Sequence, residues 1–188
     1  MASRKPRQPH SEYCSIAVRI DSYQAALESA LNFSIKFNDP RFVREDEPVF
    51  TSVTSLEVSG TALFPVARAG DQFRITLRGE NDLSGWLGMK LKDIQKRDVH
   101  GSPVFRMRRG EYVPEYVPPY GLAVLEKERG TNIWKAWVPV QQALASDMLV
   151  LLNHCKLTYL DIREHRLDRR RWIESLALNT KEPLTENY

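Results

Sequence analysis

Between Gln72 and Arg78 the chain alternates without a fault: Phe73, Ile75 and Leu77 are apolar, and Gln72, Arg74, Thr76 and Arg78 are polar. Successive side chains of a strand point to opposite faces, so this segment predicts a strand with one face on a core and the other in water. Weaker versions of the pattern recur. Ile16, Val18 and Ile20 alternate with Ala17 and Arg19 over 13–20, while 49–58 is rich in threonine and valine, breaks at Gly60 and resumes over 61–64. A turn is expected at Ala69-Gly70-Asp71. Two hairpins are expected later, one from 121–127 to 133–140 and one from 156–164 to 170–178. On the strand over 133–140, Trp134 and Trp137 fall on opposite faces.

Two segments carry a helical period instead. Over 22–33, Tyr23, Ala26, Leu27, Ala30 and Leu31 recur at helical spacing behind Asp21, a suitable N-cap, and Asn38-Asp39-Pro40 stops the pattern. Over 140–153, Leu144, Met148, Leu151 and Leu152 share one helical face. Residues 79–120 follow neither period and hold Gly79, Gly85, Gly88, Gly101 and Gly110 with Pro103, Pro114, Pro118 and Pro119. A long aperiodic connection inside a domain marks a functional or partly disordered insertion.

The pattern therefore predicts an α+β fold. Mostly antiparallel strands form a small barrel or sandwich, with two helices and a long irregular connection. Such strands could close a barrel of the oligonucleotide-binding type, an analogy of fold that carries little about function. A single domain is expected over 11–180, with its irregular basic insertion at 79–120. Residues 1–10, with three basic residues and two prolines, are expected to be a mobile arm, and 181–188 a mobile tail.

Composition adds boundaries to this picture. The 188 residues are 42% hydrophobic and 27% charged, values that suit a folded globular chain and need no metal or disulfide staple. No apolar run approaches the roughly 20 residues of a membrane span, and the first ten residues lack the core of a secretion signal. A cytoplasmic protein without a membrane partner is expected. Cys14 and Cys155 belong to no closely spaced pair and are expected to be free thiols in a reducing compartment.

The net charge of +3 is too small to draw the whole molecule to a polyanion, so its distribution matters more. Residues 90–110 carry Lys90, Lys92, Lys96, Arg97, Arg106, Arg108 and Arg109 against Asp93 and Asp98, a net of +5. Each cation that neutralises a phosphate releases counterions, and aromatic faces are what unpaired bases stack on. Phe105, Tyr112, Tyr116 and Tyr120 lie in or just after the basic run. The competing view is a solvated connection whose aromatics cover the sheet. A second basic group, Arg163, Arg166, Arg169, Arg170 and Arg171, sits around the last hairpin tip, where Asp161, Glu164 and Asp168 offer it salt bridges instead.

No catalytic motif is present: there is no phosphate loop, dinucleotide fingerprint, paired-histidine zinc helix or nucleophile elbow. His154, Asp161, Glu164, His165 and Asp168 are dense enough to suggest metal ligation, but on a strand Asp161 and His165 share a face that Glu164 does not, and no metal or cofactor is assigned.

These observations predict a non-enzymatic nucleic-acid-binding accessory protein, with a weak preference for single strands. Its contacts would be Lys90, Lys92, Lys96, Arg97, Phe105, Arg106, Arg108, Arg109, Tyr112, Arg169, Arg170 and Arg171. The alternative is a protein-interaction subunit of a larger assembly, with Trp86, Tyr116 and Tyr120 on its contact surface.

Overall fold

A computed structural model describes residues 11–31, 49–80, 88–167 and 170–182. The arm expected over 1–10, the stop at Asn38-Asp39-Pro40 and the tail beyond residue 182 lie outside the described residues. The chain divides into two compact units, one formed by 1–81 with 121–188 and the other by 82–120.

The first unit is a barrel-like sheet. Its strands are β1 (Ser11–Leu31), β2 (Phe50–Phe64) and β3 (Gln72–Glu80), then β6 (Ala123–Val124), β7 (Glu126–Lys127), β8 (Ile133–Gln141), β9 (Tyr159–Leu167) and β10 (Arg170–Asn179). Strands β4 (Phe105–Arg108) and β5 (Glu111–Pro114) belong to the second unit. The spatial order is β6-β10-β9-β1-β2-β3-β8-β7. All neighbours are antiparallel except β3 and β8, which run parallel from Gln72↔Ile133 to Glu80↔Gln141. Parallel neighbours require a long connection, and here it is the one that carries the second unit.

Residues 123–127 nearly close the barrel. The first half of this short stretch pairs with β10 through Ala123↔Ile173 and Val124↔Trp172, and the second half pairs with β8 through Glu126↔Lys135 and Lys127↔Trp134. Leu125 is buried between them and donates its N–H to the Arg171 carbonyl at 2.9 Å. Inside, Ile16, Val18, Leu56, Phe73, Ile75, Leu77, Val138, Leu160, Ile162 and Ile173 form one core.

Of the two expected helices, one is present among the described residues: α1 (Gln142–His154), which buries Ala145, Met148 and Leu152. Its buried face lies slightly round from the predicted one, since Leu144 and Leu151 are exposed. The helix expected over 22–33 is a correction. Residues 22–31 continue β1 and pair with β2 from Ser22↔Ser59 to Leu31↔Phe50. The physical reason is that Tyr23, Ala25, Leu27 and Leu31 also satisfy a period of two. Pairing with β2, nearly thirty residues away, decides between the periods, as tertiary context overrides propensity. Asp21 caps nothing; its carboxylate accepts from Thr61 Oγ1 at 2.6 Å and Arg19 Nε at 3.1 Å.

Gly60 permits the close approach of β1 at this point. It stands opposite Ile20 beside a register shift, and a Cβ there would meet the Arg19 carbonyl oxygen at 2.2 Å. No helix among the described residues is long and apolar enough to cross a membrane.

Candidate functional site

The second unit is built on a hairpin of β4 (Phe105–Arg108) and β5 (Glu111–Pro114). Its base is tied by a cyclic set of backbone bonds: Lys96 N–H to the Glu115 carbonyl, Val104 N–H to that of Lys96, and Glu115 N–H to that of Val104, all at 2.8–2.9 Å. The preceding loop is ordered by Asp98, whose carboxylate accepts from the His100 and Ser102 N–H groups at 2.9 Å each.

Arg109 and Gly110 form the hairpin turn with φ of 52° and 86°. Both values are positive, as the tightest hairpin turns require. Glycine adopts this conformation freely, whereas a non-glycine residue there costs on the order of 1–2 kcal/mol. The turn thus holds an arginine, under some backbone strain, at the tip of the hairpin.

The register pairs Phe105 with Pro114, Arg106 with Val113, Met107 with Tyr112 and Arg108 with Glu111. Opposite residues share a face, so Phe105, Met107, Tyr112 and Pro114 stand on one side and Arg106, Arg108, Glu111 and Val113 on the other. The apolar side is open to water: Phe105 is 50% exposed, Met107 64% and Tyr112 74%. Arg106, Arg108 and Arg109 are exposed as well.

The remaining basic residues of this unit are spread more thinly. Lys90 precedes a short 3-10 turn, Leu91–Asp93, that contains Lys92; both lysines are exposed, and the Lys90 N–H donates to the Asp93 carboxylate at 2.8 Å. Lys96 pairs with Glu115 at 3.0 Å, and Arg97 donates to the Gly101 carbonyl at 2.8 Å. Tyr116 bridges to Gln95, and both Tyr116 and Tyr120 are exposed. Trp86 lies outside the described residues.

In the first unit the second basic group is mostly paired. Arg163 meets Glu174 at 2.9 Å and Arg166 meets Glu12 at 3.4 Å. Arg170 is exposed at the start of β10, and Arg169 lies outside the described residues. Arg171 turns toward the barrel interior, where it and Arg68 both donate to Glu164. Glu164 is 1% exposed and Arg68 9%, and the Arg68 guanidinium lies 4.0 Å above the Trp134 ring. Burial pulls the Arg68 pKa below its ordinary value, and Glu164 opposes that shift. Trp134 donates from Nε1 to Asp71 at 2.8 Å.

Of the other candidate metal ligands, Asp168 lies outside the described residues. His165 stacks on Tyr13 at 4.6 Å and bonds Ser11, while Asp161 accepts from Asn179. Among the described residues no three His, Cys, Asp or Glu side chains gather as metal ligands would. Burial raises the pKa of the Cys14 thiol.

Two features escaped the sequence reading. The hairpin lies in the aperiodic stretch over 79–120, where Phe105 to Arg108 alternate but Glu111 to Pro114 do not, and Arg109-Gly110 is not among the dipeptides that mark a tight turn. Which of the two tryptophans faces the core is the second: Trp137 is 68% exposed on the outer face of β8, whereas Trp134 is 7% exposed on the inner face. Comparison with known proteins gives no further assignment: no family model matches the chain, and neither a curated protein nor a solved structure matches it significantly.

Proposed function

We propose that this protein is a non-enzymatic, cytoplasmic accessory factor that binds single-stranded nucleic acid through the β4–β5 hairpin. One observation carries the reading: the hairpin register separates an exposed aromatic face, Phe105 and Tyr112 with Met107, from Arg106 and Arg108, with Arg109 at the tip. Bases stack on the aromatic rings and the phosphates lie along the guanidinium groups. The strained position of Arg109 supports the same reading, because glycine or asparagine would make a better turn and neither would bring a charge. Lys90 and Lys92 add exposed positive charge to the same unit, while Lys96 and Arg97 would have to leave Glu115 and the Gly101 carbonyl to reach a phosphate. The free thiols Cys14 and Cys155 suit a reducing compartment.

The test is titration of a fluorescent oligothymidylate at several salt concentrations. The proposal expects an affinity that falls linearly on a log–log plot, by about 0.7 for each phosphate contacted. Absence of binding at low salt refutes it.

A second reading, a protein-interaction subunit with contacts at Tyr116, Tyr120 and Trp86, is favoured by a specific observation. Leu91, Val99 and Met107 of the same unit are exposed, and aliphatic groups serve protein contact better than base stacking. Salt-insensitive co-purification with a protein partner, together with no oligonucleotide binding, selects this reading.

A further inference from the structure

The outer face of β3 and β8 carries an exposed tryptophan, Trp137, among basic side chains. The parallel register sets Arg74 beside Lys135, Thr76 beside Trp137 and Arg78 beside Pro139. Same-face residues on adjoining strands lie about 5 Å apart directly and 7–8 Å diagonally. Trp137 is thus flanked diagonally by Arg74 and Arg78 and, two positions along its own strand, by Lys135. On the far side of β3, β2 presents Ser55, Glu57 and Ser59 opposite Arg78, Thr76 and Arg74. Those side chains are short or polar, so the indole stands clear of its surroundings.

Trp137 contributes little to the core, which the opposite face of the same strands fills with Phe73, Ile75, Leu77, Ala136 and Val138. Its neighbours on this face are Arg74, Thr76, Arg78, Lys135 and Pro139, with Glu126 opposite Lys135, and three cations around one indole offer a base-stacking ring with phosphate partners beside it. Arg74 meets Glu57 at 3.7 Å and Lys135 meets Glu128 at 2.9 Å, but these pairs are well exposed and therefore weak, so a phosphate can replace the carboxylate at small cost.

We propose that this face is a second contact for single-stranded nucleic acid, with Trp137 stacking on a base and Arg74, Arg78 and Lys135 lying along the neighbouring phosphates. The inference rests on the single-strand reading given above and adds a site on the barrel itself, separate from the hairpin.

The test uses the full chain and an oligothymidylate. Trp137→Ala should weaken binding by about tenfold or more, as loss of one stacked base does, while Trp137→Phe retains most of the affinity. Thermal unfolding of both variants should match the parent. Ultraviolet cross-linking of the unmutated protein to the same oligonucleotide should leave an adduct on the peptide that contains Trp137. Parent-level binding by Trp137→Ala, with adducts only elsewhere, overturns the inference and leaves the hairpin reading intact. Failure of the parent to bind at low salt overturns both. If Trp137→Ala releases a bound protein and leaves oligonucleotide affinity unchanged, this face is a protein contact and the inference is wrong.

Discussion

Arg68 donates from Nη2 to Glu164 Oε2 at 2.6 Å across a separation of 96 residues, and both side chains are withheld from water. With Arg171 on the other carboxylate oxygen, one buried anion holds two cations beside the Trp134 ring. Removing one member of such a group leaves uncompensated charge in the interior, which costs about 3–5 kcal/mol. Glu164→Gln should therefore lower stability by that amount in urea unfolding. Disrupting the exposed Lys96–Glu115 pair should cost less than about 1 kcal/mol. Equal losses would contradict the burial of the triad.

Ile75 has no exposed surface, whereas its neighbour Arg74 faces water. Ile75→Ala should cost about 2–5 kcal/mol through lost burial and the cavity left behind. Arg74→Ala should change stability by no more than about 0.5 kcal/mol. Thermal unfolding of the two variants checks the register of β3, and similar losses would refute it.

Burial raises the pKa of Asp161, and the hydrogen bond from Asn179 offsets only part of the effect. The folded protein then binds the Asp161 proton more tightly than the unfolded chain does. The stabilising contribution is full below the unfolded pKa and is lost as pH rises through the folded one. Asp161→Asn stays neutral and can still accept from Asn179. Its stability relative to the parent should rise with pH through the acid range and level off near neutrality. A difference that does not change with pH would contradict the assigned environment.

The parts of the fold that depend on neighbours in sequence were legible. Phe73, Ile75 and Leu77 alternate so strictly that their side of β3 could be assigned directly, and the opposite faces of Trp134 and Trp137 followed from spacing alone. Which tryptophan faces the core did not, because that depends on pairing with β3 and β7. Residues 22–31 satisfy both a helical and a strand period, and the choice between them rests with β2. The Arg68–Glu164 contact joins residues that no local pattern links. Lys90 to Arg109 was visible as a basic run, but the separation of Phe105 and Tyr112 from Arg106 and Arg108 appears only once the turn at Arg109-Gly110 sets the register.

The most direct test of the proposed function is the affinity of the Arg106→Glu, Arg108→Glu, Arg109→Glu triple variant for an oligothymidylate, measured beside the parent across a range of salt. These side chains are exposed, so thermal unfolding should move little. Affinity should fall by at least about tenfold, and the slope against log salt should flatten by about 2, as expected when three phosphate contacts are lost from a single strand. A folded triple variant that binds as tightly as the parent, with an unchanged salt slope, would contradict the hairpin as the nucleic-acid contact.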